Sequence, residues 1–481
     1  MEESPIAEFY AGKSILVTGG TGFLGKVLIE KLLRCCPDLH TIYLLIRPKQ
    51  GQPIGARLTE LLNTKVFDRV KAERWGDHDR VMKKLVAVEG DLSQDGLGLS
   101  SADRQLLMTR VSIVFHSAAT VKFDEPLSNS VATNLAATKR LVDLCLTMTK
   151  LQALVHVSTA YCNCDRSDVS EHVYPPPGDP EKIIKLVQLL DPPLLDQITP
   201  KLIEKRPNTY TFTKALAEHL ILQQEGRLPI AIVRPSIVTA SWKEPFPGWI
   251  ENLNGPTGLI AGAGKGILRS MWCSRDNIAD LIPVDVVINL IVTVAWHTAT
   301  VRPNNLVVYH CTSGSSRPVR WGDIEAACQA TMIRDPFSEV VWYPGGSFKK
   351  SRTYNALCVL LFHTAPAFLF DLFAIITSRK PVMVRVQRKL QKALACLEFF
   401  TTNEFRFSND NTLQLLGALR AKDRQTFDFD LAGLDWTAYL QTYIMGTRTY
   451  IMKDDPSTLP SARAHLNRSV KCTFPVKMVE K

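Results

Sequence analysis

Two side chains four residues apart invite a chemical reading: Tyr210 and Lys214, in Asn208-Thr-Tyr-Thr-Phe-Thr-Lys214. On a helix, positions four apart share a face, so phenol and ammonium point together. A free phenol ionises near pH 10, too high for easy proton exchange at neutral pH. A neighbouring ammonium stabilises the phenolate and lowers that value. A phenol tuned in this way protonates a carbonyl oxygen as hydride arrives at the carbon. None of the other ten tyrosines has a lysine four residues later. Upstream, Leu154-Val-His-Val-Ser158-Thr159 ends an apolar run with two hydroxyls. Either Thr159 or Ser158 would hold the same oxygen, as an oxyanion donor does. Tyr-x-x-x-Lys alone is equally consistent with a pair on a helix surface, so the surrounding elements decide.

Those elements form a hydride-donor site. Ser14-Ile-Leu-Val-Thr18 reads as a buried parallel strand. It runs into Gly19-Gly-Thr21-Gly22-Phe23-Leu-Gly25 and then into a segment with apolar helical spacing. Strand, glycine turn and helix stand in the order a pyrophosphate site requires, and the helix N-terminus supplies free N–H groups. The glycine spacing is G-x-x-G-x-x-G. The next strand, Thr41–Ile46, ends in Arg47-Pro-Lys49 where an NAD enzyme places an acid on the ribose 2′-hydroxyl. A guanidinium suits a 2′-phosphate, so the expected cofactor is NADPH; the plain alternative for Arg47 is a solvated surface arginine. Leu85–Gly90 reads as a third strand delivering Asp91-Leu92, with Asp91 set to bond the adenine amino group. Val111–Ala119 reads as a fourth, with Ala118 and Ala119 leaving room for the cofactor and His116 a packed strand-end residue.

The 481 residues exceed one ordinary domain. A 46% hydrophobic and 22% charged composition excludes a disordered or collagen-like chain. The net charge of +10 favours acidic partners. With no aromatic-and-arginine nucleic-acid module, phosphate-bearing cofactors and membrane surface lead. Eleven scattered cysteines and no apolar run at the start point to reduced thiols and a cytosol-facing protein. Cys35-Cys36 and Cys162-Asn-Cys164 lack a second pair at zinc-site spacing, so no metal is expected.

Together these residues resemble the extended short-chain dehydrogenase/reductases. Within that group the sequence is most similar to alcohol-forming fatty acyl-CoA reductases. The resemblance is carried by residues 18–34, 156–163 and 206–215, by Asn254-Gly-Pro-Thr-Gly-Leu and Gly264-Lys-Gly-Ile-Leu-Arg269, and by Phe399 to Phe407 and Leu434-Asp-Trp436. It implies an α/β fold: a Rossmann-type doubly wound parallel sheet with a smaller, mostly helical C-terminal domain. The implied division is a tail at 1–10, the reductase domain at 11–345, the helical domain at 346–452 and a polar tail at 453–481. It implies catalytic roles for Thr159, Tyr210 and Lys214, with Ser158 competing for the hydroxyl role. Pro235 and Ser236 match the segment that contacts the nicotinamide amide. Asn134 matches a family asparagine whose role is structural or in a proton relay. The implied reaction is two hydride transfers from two NADPH molecules, taking a long-chain acyl-CoA through an aldehyde to a primary alcohol in wax, ether-lipid or hydrocarbon metabolism. Competing readings are another extended reductase, acting on a sterol or a nucleotide sugar, and a non-enzymatic NADPH-binding membrane scaffold. Many animal members end in a hydrophobic anchor, whereas this sequence reaches Lys481 through a polar segment.

Gly262-Ala-Gly-Lys265-Gly fails as a P-loop, since Leu259 stands where its first glycine belongs and no Ser/Thr follows Lys265. It is expected to be a glycine-rich substrate-side loop, with Lys265 and Arg269 either meeting CoA phosphates or belonging to a plain flexible loop. Asp179 to Leu202 is long for a connection, which suggests a helical insertion, over the active site or merely packed. Tyr354 to Thr377 is almost wholly apolar, with Asp371 its one formal charge and Pro366 interrupting it. Three readings compete: a buried helical hairpin, an embedded segment lying along a membrane, and a span. Arg379, Lys380, Arg385, Arg388, Lys389 and Lys392 follow, as suits a headgroup region. The expected setting is a membrane facing the cytosol, of the endoplasmic reticulum or the peroxisome; the end Met-Val-Glu-Lys is not a tripeptide peroxisomal address.

Overall fold

The computed structural model describes residues 4–49, 51–73 and 82–473; the outermost parts of both segments read as tails lie outside the described residues. Strands β1 (Ser14–Thr18), β2 (Thr41–Ile46), β3 (Leu85–Glu89), β4 (Ile113–His116) and β5 (Ala153–Val157) join Ile230–Pro235 and Val307–Cys311 in one parallel sheet. The order is Val307–Cys311, Ile230–Pro235, β5, β4, β1, β2, β3. The chain winds outward in both directions from β1, so the crevice beyond the carboxyl ends of β1 and β4 is the switch point where such sheets bind ligands.

Successive residues of each strand feed opposite faces. Ile15, Val17, Ile113 and Phe115 meet helices Phe23–Cys35 and Val284–Val301 on one side. Leu16, Val114 and Leu154 meet Ala137–Cys145 and Thr209–Leu222 on the other. This is why β1, β2, β4 and β5 read as continuous apolar runs: each is buried along its whole length.

The C-terminal part is mostly helical, as expected, but it does not stand apart. Ser347–Lys349 pairs with Ser270–Trp272, and Arg406–Phe407 pairs with Asp168–Val169. Phe427, Leu434 and Tyr439 belong to the same buried cluster as the sheet. The boundary at 345/346 is thus a division of sequence rather than of packing. Both presumed tails are partly docked. Helix Pro5–Tyr10 buries Ile6 and Tyr10, and the Tyr10 hydroxyl donates to the Val292 carbonyl at 2.8 Å. Helix Leu459–Thr473 buries Leu466, and Arg463 bonds Asp335 at 2.6 Å.

The insertion forms two helices, Pro180–Leu189 and Pro192–Ile203. Their Ile183 and Leu195 pack into the core that also holds Phe212 and Leu216 of the Tyr210 helix.

The apolar stretch is one continuous helix from Arg352 to Ile376. Pro366 does not interrupt it, because a wide π turn at Leu360–Thr364 accommodates the ring and the missing N–H. His363 is buried and fixes the middle of the helix to the body: Nε2 accepts from the backbone N–H of Arg269 (2.9 Å) and of Ser270 (3.0 Å). The Asp371 carboxylate accepts from the N–H of Met383 (2.8 Å) and Val384 (2.9 Å), at the start of the returning helix Met383–Thr402. The lone charge therefore caps a helix. Most of the remaining surface is bare: only 11% of an 18-residue apolar window in this helix is buried, and Leu369, Phe373 and Ile376 are exposed. A hairpin exists, but the reading that buries it inside the protein is overturned.

Candidate active site

The glycine turn closes against β4. Gly19 has φ +74°, and a Cβ there would lie 2.8 Å from the Ala118 nitrogen; one at Gly25 would lie 2.2 Å from the Gly19 carbonyl oxygen. Side chains are therefore excluded at both positions. Gly22 starts the helix Phe23–Cys35 without a side-chain cap and is exposed beside Thr21, so the first amides of the helix face the crevice uncovered. A pyrophosphate fits this cradle. Phe23 turns away and stacks on Trp249, centroids 5.2 Å apart.

At the outer end of β2 Arg47 is exposed, and among the described residues no side chain bonds its guanidinium. Arg57, on helix Ile54–Leu62, donates to the Arg47 carbonyl and brings a second guanidinium that the sequence reading missed. Beyond β3, one Asp91 oxygen accepts from the Ser93 N–H (2.9 Å) and hydroxyl (2.7 Å), and Leu92 is half-exposed. Across the sheet, Pro235 lies in register with Cys311, and the Ser236 N–H donates to the Cys311 carbonyl at 3.1 Å.

Helix Thr209–Leu222 begins at Asn208, whose side chain accepts from the Thr211 N–H at 2.9 Å. This places Tyr210 in the first turn and Lys214 one turn deeper. Lys214 is buried and donates to the Val157 carbonyl, the last residue of β5, at 2.8 Å. Thr159 follows two residues on, and its hydroxyl lies by the Tyr210 phenol. Ser158 Oγ is buried beside the Cys162 thiol without a well-formed hydrogen bond. Of the two hydroxyls weighed in the sequence, Thr159 meets the phenol.

Burial pushes the Tyr210 phenol up from its ordinary value, opposed by the Thr159 hydroxyl. Burial lowers the Lys214 ammonium to about 8, with Glu218 opposing the shift. Burial and the Thr159 hydroxyl, not Lys214, set the phenol's shift, and the ammonium is turned onto the Val157 carbonyl. A phenol held protonated is still the form that donates a proton in a reduction.

Asn134 accepts from the Thr120 N–H at 2.9 Å and donates to the Thr213 hydroxyl at 3.1 Å, tying the loop after β4 to the residue beside Lys214. His116 lies between the hydroxyls of Thr18 (2.8 Å) and Thr138 (3.0 Å), and burial lowers it to about 3; it is a neutral packing residue.

Sequence reasoning missed the ion pair beneath the site. Glu218, one turn past Lys214, receives Arg234 at 2.8 and 2.6 Å, with both side chains fully buried. Arg234 also donates to the Ser170 and His172 carbonyls. The spacing Lys214–Glu218 was a weak local hint; the strand arginine comes from far along the chain. An aromatic wall was missed for the same reason. Phe123 lies 5.8 Å from Tyr210 and 5.3 Å from Phe400, ring to ring.

Lys265 and Arg269 sit elsewhere. The glycine-rich segment is a helix, Pro256–Gly264, because Gly264 packs where a Cβ would lie 2.8 Å from the Phe337 ring. Lys265 donates to the Ser338 carbonyl (2.5 Å) and Arg269 to that of Tyr343. Their donors thus face protein carbonyls.

Two family models match, both described as male sterility protein: an NAD-binding one over residues 17–291 and a second over 362–454. Fatty acyl-CoA reductase 1 of Xenopus laevis is 45% identical over 463 residues, 96% of this chain and 89% of that protein. Fatty acyl-CoA reductase 2 of Bos taurus is 44% identical over 465 residues, 97% of this chain and 90% of the other. Among solved structures, the reductase domain of a non-ribosomal peptide synthetase from Mycobacterium tuberculosis superposes with TM-score 0.59 at 18% identity, covering 94% of each chain. The terminal R domain of the myxalamid pathway gives 0.56 at 21%, covering 91% of this chain and 90% of that one. These structures share the Rossmann fold, and the full-length identities give the lineage: the chain belongs to the fatty acyl-CoA reductase family, whose family models carry the name male sterility protein.

Proposed function

We propose that this chain reduces long-chain acyl-CoA with NADPH, carrying the thioester through an aldehyde to a primary alcohol. The observation that carries the proposal is the meeting, at the carboxyl ends of β1, β4 and β5, of the bare glycine turn with the Thr159–Tyr210 hydroxyl pair over buried Lys214. The cofactor, when bound, supplies hydride. The turn from Gly19 to Gly25 would hold its pyrophosphate, with Thr21, Gly22 and the helix amides as donors. Asp91 and Leu92 would hold the adenine, and Ala118, Pro235 and Ser236 would line the nicotinamide side. Arg47, joined by Arg57, would take a 2′-phosphate, which favours NADPH over NADH.

Thr159 and Tyr210 grip the carbonyl oxygen, and Tyr210 gives it a proton as the carbon accepts hydride. The thioester becomes a hemithioacetal, which collapses to aldehyde and free CoA thiol. The same groups then serve the aldehyde, whose oxygen takes a second proton to become the alcohol. Lys214 holds positive charge beside the phenol while the proton leaves, and Asn134 fixes the helix that carries both.

The bare helix Arg352–Ile376, with exposed Arg379, Lys380, Arg385 and Lys389 beside it, supports association with a membrane facing the cytosol. Because its middle and its far end are tied to the body through His363 and Asp371, we read it as lying along one leaflet rather than spanning.

The coenzyme test is direct. With palmitoyl-CoA, turnover is expected with NADPH and at least tenfold lower kcat/KM with NADH. Equal use of both would remove the 2′-phosphate role of Arg47, and no turnover with either would reject the reaction.

A further inference from the structure

An apolar cavity of about 70 Å³ lies between helix Pro256–Gly264, helix Trp321–Arg334 and the paired strands Ser270–Trp272 and Ser347–Lys349. None of the groups proposed above to hold cofactor or carbonyl lines it. Leu259, Ala263, Met271, Ile324, Cys328 and Met332 form its walls.

The polar groups around it are almost all turned into the protein. Glu325 accepts from the Phe348 N–H at 2.9 Å and pairs with Arg275 at 3.1 Å. Gln329 donates to the Gly346 carbonyl (2.5 Å), Ser270 to Asn355 (2.6 Å), and the Tyr443 hydroxyl bonds Thr257 (2.6 Å). The Trp321 indole N–H lacks a partner, and Glu325 Oε2 has only its ion pair with Arg275. Such a lumen repels water and offers a polar ligand almost nothing.

Packed residues run from the cavity wall to the reacting end. From Met271 on its wall, the strand continues to Trp272, whose carbonyl accepts from the Thr401 hydroxyl at 3.3 Å. Thr401 follows Phe400, whose ring touches Phe123, and Phe123 touches Tyr210.

We propose that this cavity receives the methyl-terminal part of the acyl chain while the thioester carbon lies at Tyr210. The assignment rests on the acyl-CoA reading and adds the place where chain length is measured. Each methylene buried there is worth about fourfold in affinity. The residues that set the limit are Ala263 on helix Pro256–Gly264 and Cys328 and Met332 on helix Trp321–Arg334.

The test compares kcat/KM for octanoyl-, palmitoyl- and stearoyl-CoA in the full-length chain. Ala263→Leu fills the cavity and is expected to lower the palmitoyl-to-octanoyl ratio at least tenfold. Met332→Ala enlarges it and is expected to raise the stearoyl-to-palmitoyl ratio about threefold or more. NADPH binding, followed by its fluorescence, reports that each variant is folded; if Ala263→Leu fails there, Cys328→Phe fills the same space from another helix. Unchanged ratios in filled and enlarged variants that bind NADPH would overturn the pocket while acyl-CoA reduction stands. A parent chain that oxidises NADPH with none of the three esters would overturn both.

Discussion

Among the described residues, two helices are long and apolar enough to cross a membrane, and they lead opposite lives. Val284–Val301 is 72% buried, laid across the sheet against β5 and helix Phe23–Cys35. Arg352–Ile376 is more apolar still, and only 11% of an 18-residue apolar window within it is buried. The first is core: Leu290, Ile291 and Val292 are closed off, and Asp285 near its start accepts three backbone N–H groups, from Trp242, Lys243 and Glu244. The second is buried only at Cys358, His363, Ala367 and Asp371, with Asn355 also holding Ser270, and presents most of its apolar surface outward. Hydropathy alone does not separate a helix that holds a cofactor crevice together from one that faces a partner. What separates them is where their few polar side chains are satisfied.

If this contrast is right, interior changes alter folding or chemistry in any solvent, and exterior ones alter only where the protein resides. Leu290→Asp buries an uncompensated carboxylate and is expected to cost at least about 4 kcal/mol, seen as loss of the cooperative thermal transition and of NADPH binding. Tyr210→Phe removes the proton donor without disturbing packing. Its kcat is expected to fall by about 10²–10⁴-fold, equally in detergent and on vesicles, with NADPH affinity kept by fluorescence titration. Arg47→Asp acts on affinity alone, with NADPH binding weakened by about tenfold or more and NADH binding nearly unaltered. The outer helix gives the smallest effect on stability. Exchanging Leu369, Phe373 and Ile376 for Glu is expected to change unfolding free energy by no more than about 0.5 kcal/mol per site. The same exchange is expected to abolish co-flotation with phosphatidylcholine–phosphatidylserine vesicles. A large loss of stability instead would mean that this helix is core after all.

A pH series sharpens the interior side of the contrast. Lys214 lies near 8 in the fold, lowered by burial from an ordinary value of 10.5. Between those values the unfolded chain holds the extra proton, so stability is expected to rise with pH across that interval. Turnover, which uses the ammonium, is expected to fall as pH climbs through about 8. Lys214→Met should flatten both trends.

The same contrast explains what the sequence could tell. Gly19 to Gly25, Arg47, Thr159, Tyr210 and Lys214 are short-range patterns, each within a turn or two of the strand or helix that positions it. They were legible, and so were the buried strands, because a parallel strand covered on both faces must be apolar throughout. Arg57, the Glu218–Arg234 pair and the Phe123–Phe400 wall were not legible, since each joins residues that only the folded chain brings together. Lys265 and Arg269 gave no such local clue: that carbonyls from residues 338 and 343 meet them is visible only in the folded chain. Asp371 seemed an argument against lipid contact, yet its charge is taken up by the N-terminus of the next helix.

The central claim is that one Tyr210-centred site reduces a thioester twice. The most direct measurement is the stoichiometry of a palmitoyl-CoA reaction run to completion with excess NADPH. Two NADPH oxidised, one free CoA thiol and one hexadecanol per ester consumed are predicted. One NADPH per ester with hexadecanal accumulating would contradict the second reduction, and no NADPH oxidised would contradict the account as a whole.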